Sequence, residues 1–475
     1  MGLRARQAFY ASTCLVIAGG SVLFAPVTAF GADSLDGIWR SQGYGYVFNF
    51  QGSALKAFEV TRTTCVPGFT ATRFATAGPD REVTFTTTDR DVFFVRPGGD
   101  AAHRTLHFDG SASDMRIDRL PRLPPVCDHP TPDTPLDNFE VFTQTWAENY
   151  ISFDLKHVNW DSIVSLNRSK VAPGMPAAQL FDLFEAMIKP FGDAHTFIYA
   201  PKLKRRFRGI RPGTDRVVNE LAGKGGFDKF QESGMRKLFA ITNKAYLHGP
   251  LRKFCNEQIE YGHIGGDTGY LRIVSFSGYS KQGGFATGSI ALQSALDEIF
   301  SGSALKALVI DVRINFGGDD PYGLEIASRL AAGDYIAYAK QARLDPVDHD
   351  QWTERDQSIV RPSSRPGFRG PVVELTGPLT ISAGETFTQA LMGRMPRVIR
   401  IGENTQGVFS DVLGRRLPNG WRFALPNEVY LTPEEKAFDG TGIPPDIEVP
   451  VFTTADVAAG RDPPLARALQ LLAGE

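Results

Sequence analysis

The 475-residue chain has few cysteines and no excess of charge of either sign. Its four cysteines include no CxxC pair and no Cys/His spacing typical of a zinc site, so we predict neither a metal nor a cofactor. The net charge is −2, which does not favour binding to nucleic acid or to a membrane surface. Hydrophobic residues make up 42% of the chain, as is typical of globular proteins.

The first 32 residues have the pattern of an export signal. Arg4 and Arg6 precede an apolar, small-residue run over 8–29, and cleavage is predicted near 29–32. A retained membrane anchor is the alternative, but Pro26 and two glycines interrupt the run. We therefore expect a periplasmic or secreted protein with no stable membrane association after cleavage.

An exported protein folds in an oxidising compartment, where cysteines can pair. Three cysteines remain after the predicted cleavage, namely Cys65, Cys127 and Cys255. A disulfide between Cys65 and Cys127 would stabilise the first domain and leave Cys255 unpaired.

The pattern along the chain predicts a multidomain α/β + β protein. Short β-rich runs about ten residues apart predict a small antiparallel sandwich or barrel over 33–120. A proline-rich linker follows over 121–135, and then a helical subdomain over 136–200 with helices near 136–150, 160–170 and 177–188. Residues 201–264 are interpreted as a cap or lid insertion, in which the arginines of 205–211 are more typical of exposed side chains than of a carboxylate site.

From residue 265 onward, buried strands alternate with helices. The run over 305–312 is almost entirely apolar, as expected for a strand buried on both faces, and it precedes Gly317-Gly318 and a helix over 322–332. Two glycines at such a turn allow backbone N–H groups to approach a ligand closely, although no phosphate-binding pattern is present. We predict an α/β core over 265–452 and a C-terminal helix over 453–475.

Ser382 is the most informative single residue. It follows a short apolar run and precedes a predicted helix over 383–395. At that position the helix N–H groups and the positive end of the helix dipole would stabilise an oxyanion. A serine is a weak nucleophile without a base, so the remaining question is which residue activates it.

Several short motifs occur in a characteristic order. They are Phe139…Trp146…Asn149-Tyr150, then GDAHT over 192–196, GYL over 269–271, DVRINFGG over 311–318, SAGE over 382–385, GENT over 402–405 and DGTGIPPD over 439–446. Their order resembles the tail-specific or C-terminal processing serine peptidases, family S41, over about residues 136–452. The resemblance implies a ClpP/crotonase-like α/β serine-peptidase core. It does not extend to the N-terminal β domain, and 201–264 contains no clear PDZ carboxylate-binding loop.

The family resemblance also implies which residue is the base. One branch of the family uses a lysine about 25 residues after the serine, but no lysine occurs over 383–435. The tricorn-core and nisin-resistance-protein branch uses a histidine in a turn similar to Asp193-Ala194-His195-Thr196. By this resemblance His195 is the general base and Asp439 the acid that orients it, with the N–H groups of Ala383 and of Gly317 or Gly318 as the oxyanion hole.

Two of these residues also have structural interpretations. Asp439 can cap the turn before Gly440, and Glu385 is more typical of a first-turn helix acid than of a catalytic group. The predicted function is an exported serine endopeptidase acting on peptides or unfolded protein tails. The alternatives are a noncatalytic ligand-binding protein on the same fold and a serine hydrolase of a non-peptide acyl substrate. The sequence does not predict the oligomeric state.

Overall fold

The structure is a computed structural model that describes residues 35–74, 82–222, 226–265, 267–302 and 305–474. The predicted export signal over 1–32 lies outside these residues. Among the described helices, none has the length and apolar character needed to cross a bilayer.

Residues 37–120 form a closed eight-stranded antiparallel β-barrel. Each strand pairs with the next, and the first pairs with the last. Phe48, Phe50, Phe85 and Phe93 pack inside it, with Phe85 stacked on Phe93 at a centroid distance of 5.4 Å. The strands are β1 Gly37–Ser41, β2 Tyr46–Gln51, β3 Ala54–Val60, β4 Cys65–Phe74, β5 Val83–Thr87, β6 Val92–Pro97, β7 His103–Phe108 and β8 Met115–Leu120.

A disulfide joins the barrel to the segment that follows it. Cys65 at the start of β4 is bonded to Cys127 in the proline-rich linker, and Cys255 is buried and unpaired. The backbone N–H of Thr131 also donates to the carbonyl of Cys65 at 2.9 Å. The linker is therefore fixed against the barrel.

Three helices follow and pack through their aromatic faces. They are α1 Pro135–Asn149, α2 Trp160–Arg168 and α3 Ala177–Ile188. Thr134 caps α1 by accepting a hydrogen bond from the Asp137 N–H. Phe142 stacks on Phe184 at 4.2 Å between ring centroids. After α3 the chain turns at Gly192 into β9 Phe197–Ala200 and β10 Arg205–Arg208.

The predicted cap is helical and packs beside Ser382. Its helices are α4 Pro212–Ala222, α5 Gly226–Lys229 and α6 Met235–Tyr246. Val217, Val218 and Leu238 are buried against Leu379 and Ile381, which immediately precede the serine. The side chain of Thr214 also donates to the carbonyl of Pro378 at 2.7 Å. This insertion therefore supports the strand that leads to Ser382.

The core is a seven-stranded sheet with helices on both faces. Leu271 and Ile310 face one layer of helices, while Tyr270 and Val309, next to them in the chain, face the C-terminal helix. The sheet order is β11-β12-β13-β14-β18-β20-β24. These strands are β11 Arg252–Phe254, β12 Ile259–His263, β13 Thr268–Ile273, β14 Ala307–Asp311, β18 Val372–Thr376, β20 Ile399–Gly402 and β24 Ile447–Glu448.

The remaining elements surround this sheet. The helices are α7 Phe285–Ser301, α8 Asp320–Leu330, α9 Ala383–Met392, α10 Thr454–Ala459 and α11 Pro463–Ala473. Smaller sheets have the orders β15-β19, β17-β16-β23 and β10-β9-β22-β21. Their further strands are β15 Ile314–Asn315, β16 Tyr335–Ala342, β17 Asp356–Val360, β19 Leu379–Thr380, β21 Val412–Arg416, β22 Arg422–Pro426 and β23 Glu428–Leu431.

Three predicted boundaries differ from the structure. The core begins before residue 265, because β11 and β12 pair antiparallel onto β13. The helical subdomain over 136–200 is not a separate unit. Its strand β9 pairs with β22 of the core, and both strands contribute to one apolar cluster. The predicted C-terminal helix over 453–475 is two helices, since Gly460 has a φ of 65° and ends α10.

Candidate active site

Ser382 lies at the N-terminus of α9 in an unusual backbone conformation. Its φ is 56° and its ψ is −120°, a region that residues other than glycine rarely occupy. The chain makes a sharp turn there between β19 and the helix, so that the side chain lies at the positive end of the helix dipole. Strained backbone of this kind is typical of functional positions, because the surrounding structure must hold it in place.

A glycine turn lies directly against the serine. A Cβ atom on Gly317 would come within 2.7 Å of the Ser382 Cβ and 3.0 Å of the Ala383 nitrogen, so only glycine fits. Asn315 shapes this turn, because its Oδ1 accepts from the Gly317 N–H at 2.9 Å. Within the part of the chain that the structure describes, the N–H groups of Gly318 and Ala383 have no acceptor.

Glu385 organises the loop on the other side of Ser382. Its carboxylate is fully buried and accepts hydrogen bonds from the N–H groups of Gly407 at 2.5 Å and Val408 at 2.7 Å. It also accepts from the Thr405 hydroxyl at 2.6 Å and the Ser382 N–H at 3.4 Å. Burial raises the pKa of Glu385 to about 7, although these hydrogen bonds oppose the shift.

His195 is buried in the turn that joins α3 to β9. Asp193 accepts from the His195 N–H at 2.9 Å, and Arg208 Nε donates to the carbonyl of Ala194 at 2.9 Å, which together fix the turn. Burial and the charge of Arg208 lower the pKa of His195 to about 4, against the opposing effects of the Asp193 and Asp411 carboxylates and the Ser410 backbone. The imidazole is therefore neutral at pH 7.

Asp439 is a second buried carboxyl group in this region. Its Oδ1 accepts from the Phe409 N–H at 3.4 Å, while its Oδ2 has no partner among the described residues. Burial and the negative charge of Glu385 raise the pKa of Asp439 to about 8. Asp439 is therefore largely protonated at neutral pH, in contrast to the anionic acid expected by resemblance.

A network of charges lies beside the histidine, in which Lys340 and Glu428 are buried and Asp411 is exposed. Lys340 Nζ donates to Asp411 Oδ2 at 2.6 Å and lies 3.3 Å from Glu428 Oε1. Tyr44 of the barrel donates to the same carboxylate oxygen at 2.5 Å. Burial lowers the pKa of Lys340, but the Asp411 and Glu428 carboxylates raise it further, so the net direction is upward and the lysine is charged.

The predicted residues thus lie along two connected segments. Ser382, Ala383 and the glycine turn are in contact, and the Ser382 N–H donates to the carbonyl of Val408 at 3.1 Å. The chain then runs from Val408 through Phe409, which contacts Asp439, to Ser410 beside His195. In the described part of the chain, no hydrogen bond joins Ser382 to His195 or His195 to Asp439.

Sequence reasoning did not find several residues of this site. Glu385 was interpreted as an ordinary first-turn acid, whereas it accepts three hydrogen bonds from the loop over 405–408 and a fourth from the Ser382 N–H. Asn315 and Asp411 belonged to no candidate set, and the contact of Asp411 with Lys340 is distant in sequence. The signal available for Asn315 was its position two residues before the glycine pair, a spacing at which an Asn side chain bonds its own backbone.

Comparison with known proteins gives a family match over part of the core. Residues 267–449 match the sequence model of peptidase family S41. The chain contains a domain of peptidase family S41. This S41 domain includes Ser382 and the glycine turn, whereas His195 precedes the matched range.

Individual relatives agree with this assignment. The carboxyl-terminal-processing peptidase 2, chloroplastic, of Arabidopsis thaliana is 26% identical over 214 residues, which are 45% of this chain and 38% of that protein. The chain therefore spans well under half the length of this relative. A candidate peptidase from Parabacteroides merdae has a similar structure, with a TM-score of 0.56 and 25% identity over 72% of this chain and 97% of the other. Mature CPAF, at 14% identity and a TM-score of 0.51 over 72% of this chain and 98% of the other, shares the fold.

Proposed function

We propose that this protein is an exported serine endopeptidase that hydrolyses peptide bonds through an acyl-enzyme on Ser382. The observation that carries the proposal is the position of Ser382, with a φ of 56° at a helix N-terminus and in contact with a glycine turn. Such a turn presents a hydroxyl outward while it directs backbone N–H groups to one side. The match of residues 267–449 to a peptidase family also supports hydrolysis of peptide bonds.

In the proposed mechanism, His195 is the general base. The Ser382 hydroxyl attacks the scissile carbonyl, and its proton passes to the neutral imidazole, which later protonates the leaving amine. Water then attacks the ester by the same route, releasing the acid and restoring the serine. Hydrogen bonds of this kind are often long in the absence of substrate, so closure of the Ser382–His195 gap accompanies substrate binding.

The N–H groups of Ala383 and Gly318 form the proposed oxyanion hole. Gly317 is the weaker candidate of the glycine pair, because its N–H already donates to Asn315 Oδ1 at 2.9 Å. The Ala383 N–H lies on the first turn of α9, where the helix dipole adds to the stabilisation of negative charge. Asp439 is the third proposed catalytic residue. Its Oδ1 accepts from the Phe409 N–H, and as a protonated acid with a pKa of about 8 it would also donate a hydrogen bond.

The proposed substrates are peptides or unfolded protein tails outside the cytoplasm. Export is proposed from the N-terminal sequence pattern over 1–32, and the disulfide between Cys65 and Cys127 is consistent with an oxidising compartment. The S41 relative from Arabidopsis thaliana is named for carboxyl-terminal processing, which suggests exposed chain termini as substrates.

A fluorophosphonate probe tests the nucleophile. We expect the native protein to be labelled on Ser382, with labelling lost in Ser382→Ala and strongly reduced in His195→Ala. The absent Ser382–His195 hydrogen bond favours a noncatalytic binding protein as the second candidate. A folded native protein that resists labelling would support that candidate and contradict the peptidase. A non-peptide acyl hydrolase would be labelled but would leave a peptide pool from exported proteins unchanged relative to the Ser382→Ala control.

A further inference from the structure

A cleft between the barrel and the S41 domain lies close to the proposed nucleophile. It has a volume of about 220 Å³, and both parts of the chain line it. Tyr46 and Phe108 contribute from one end of the barrel, and Val412 and Asn427 contribute from the other wall. The proposed function does not use this cleft, and the S41 match over 267–449 does not include the barrel.

The chain itself limits the distance from Ser382 to the cleft. The Ser382 N–H donates to the carbonyl of Val408 at 3.1 Å. Asp411, which lines the cleft, is three residues further along, and three residues of extended chain span at most about 10 Å. A substrate bound at Ser382 would therefore reach the cleft with a side chain two or three residues from the scissile bond.

The lining of the cleft favours an aromatic side chain. Tyr46 and Phe108 are half-buried at the end of the barrel, and Val412 leaves 43% of its surface exposed on the facing wall. A cavity of about 150 Å³ lined by apolar side chains is sufficient to bind benzene, so the cleft is large enough for one ring. Aromatic rings also gain from edge-to-face or offset contacts with other rings.

A polar group at the cleft lacks a partner. Asn427 is only 3% exposed, and within the described part of the chain its Nδ2 has no hydrogen-bond acceptor. A buried N–H without an acceptor costs free energy, which a carbonyl or hydroxyl oxygen of a ligand would recover. The charged groups of the cleft already have partners, since Lys340 contacts both Asp411 and Glu428, and Asp114 contacts Arg96 and His107. This pairing disfavours a charged side chain as the occupant.

We infer that the cleft between the barrel mouth and β21 is a substrate subsite that binds an aromatic side chain of the peptide, two or three residues from the scissile bond. The inference rests on the proposed peptidase function. It assigns the N-terminal barrel a role in substrate selection.

Binding to an inactive protein tests the subsite separately from catalysis. The probes are two fluorescein-labelled decapeptide pools that differ only in phenylalanine or alanine at one position. We expect the Ser382→Ala protein to bind the phenylalanine pool about tenfold more tightly or better, as burial of one ring predicts. Fluorescence anisotropy measures both affinities. Equal affinity for the two pools would overturn the subsite.

Two substitutions locate the binding. Ser113→Phe, added to Ser382→Ala, places a ring in the lining and should remove the preference for the phenylalanine pool. Val412→Asp should do the same from the opposite wall, and it keeps the test valid if Ser113→Phe fails to fold. The control is Ser53→Phe, at an exposed turn at the other end of the barrel, which should keep the preference. A preference that survives both cleft variants would contradict the assignment.

The two proposals fail in different ways. If native Ser382 is not labelled by diisopropyl fluorophosphate and neither pool is cleaved, the peptidase is wrong, whatever the binding data show. If labelling and cleavage occur but the preference is absent or insensitive to Ser113→Phe and Val412→Asp, only the subsite is wrong.

Discussion

At the scale of single residues, the site depends on buried groups whose ionisation is set by their surroundings. Glu385, Asp439 and His195 all have pKa values shifted toward the neutral form, and burial is the largest cause for each. Neutral forms suit a site that must exclude water and still transfer protons. Strongly shifted groups in one region are also typical of functional sites.

The pH dependence of labelling tests the state of His195. A base must be unprotonated, so the labelling rate of Ser382 should fall as pH decreases through the pKa of His195, which burial lowers from 6.5 to about 4. Protonation of Glu385, whose pKa is about 7, changes the rate at higher pH, so the His195 step is measured in Glu385→Gln, where we expect a constant rate through pH 5 to 7 and a decrease near pH 4. Rates measured with a fluorophosphonate check this, and circular dichroism confirms folding at each pH. A midpoint near 6.5 in Glu385→Gln would indicate a solvated imidazole.

Glu385→Gln tests whether this carboxylate holds the loop at the nucleophile. A glutamine has one carbonyl oxygen in place of two carboxylate oxygens, so some of the N–H groups of Ser382, Gly407 and Val408 lose their acceptor. We expect labelling to slow by about 10- to 100-fold, because small displacements of reacting groups reduce rates by that much.

The matched control for Glu385→Gln is Glu374→Gln. Glu374 is also fully buried, and burial raises its pKa to about 7, but only the Thr388 hydroxyl donates to it and its Oε2 has no partner among the described residues. This substitution should leave the labelling rate within about twofold of the native value, since Glu374 has no contact with the loop over 405–408. If Glu385→Gln and Glu374→Gln lower the labelling rate equally, the loss comes from a general effect on the core and not from the loop over 405–408.

The position of Ser382 at a strand–helix junction was predictable from sequence because an apolar run followed by a helical pattern is local, and its role as nucleophile stays a prediction. Glu385 has the same local pattern as an ordinary helix acid, and only the return of residues 405–408 to its side chain distinguishes it. The protonated state of Asp439 also depends on long-range burial, which one sequence does not report.

At the scale of elements, local periodicity predicted helices better than it predicted sheet membership. The helix over 177–188 begins and ends where its pattern predicts, because Leu180, Phe184 and Met187 form one apolar face. The pairing of β9 with β22 was not predictable, since 221 residues lie between Ala200 at the end of β9 and Arg422 at the start of β22. The sequence of a strand carries no local signal of its partner. The same reason explains the misplaced start of the core sheet.

The disulfide gives a prediction at this scale. Cys65 and Cys127 close a loop with a sequence separation of 62 residues, so the bond should stabilise the fold mainly by restricting the unfolded chain. We expect Cys65→Ser with Cys127→Ser to lower the free energy of unfolding by about 2–4 kcal/mol. Thermal unfolding with and without a reductant measures the effect.

The third cysteine supplies the control for this experiment. Cys255 is buried and unpaired, so Cys255→Ser should change the melting temperature less, and the variant should remain sensitive to reductant. The double variant should be insensitive to reductant. If reductant still lowers its melting temperature, the stabilising effect does not come from this bond.

At the scale of the whole molecule, the barrel and the S41 domain share polar contacts. Glu59 of β3 accepts from the Arg416 N–H at 2.7 Å, and the Tyr46 hydroxyl reaches the carbonyl of Gly414 at 3.4 Å. These residues cover the outer edge of β21, whose backbone groups would otherwise be open to pairing with another chain. The barrel therefore protects the sheet edge and forms one wall of the proposed subsite.

Tyr44→Phe tests how strongly the barrel is coupled to the S41 domain. The Tyr44 hydroxyl donates to Glu428 at 2.5 Å, and Glu428 in turn lies 3.3 Å from Lys340 Nζ. Removal of this donor from a buried carboxylate should lower the free energy of unfolding by about 1–3 kcal/mol. Tyr199→Phe is the control, because Tyr199 is 43% exposed and should be nearly neutral. Because this contact joins the barrel to the S41 domain, calorimetry should show a lower melting temperature for both of them in Tyr44→Phe. A shift confined to the barrel would contradict this coupling.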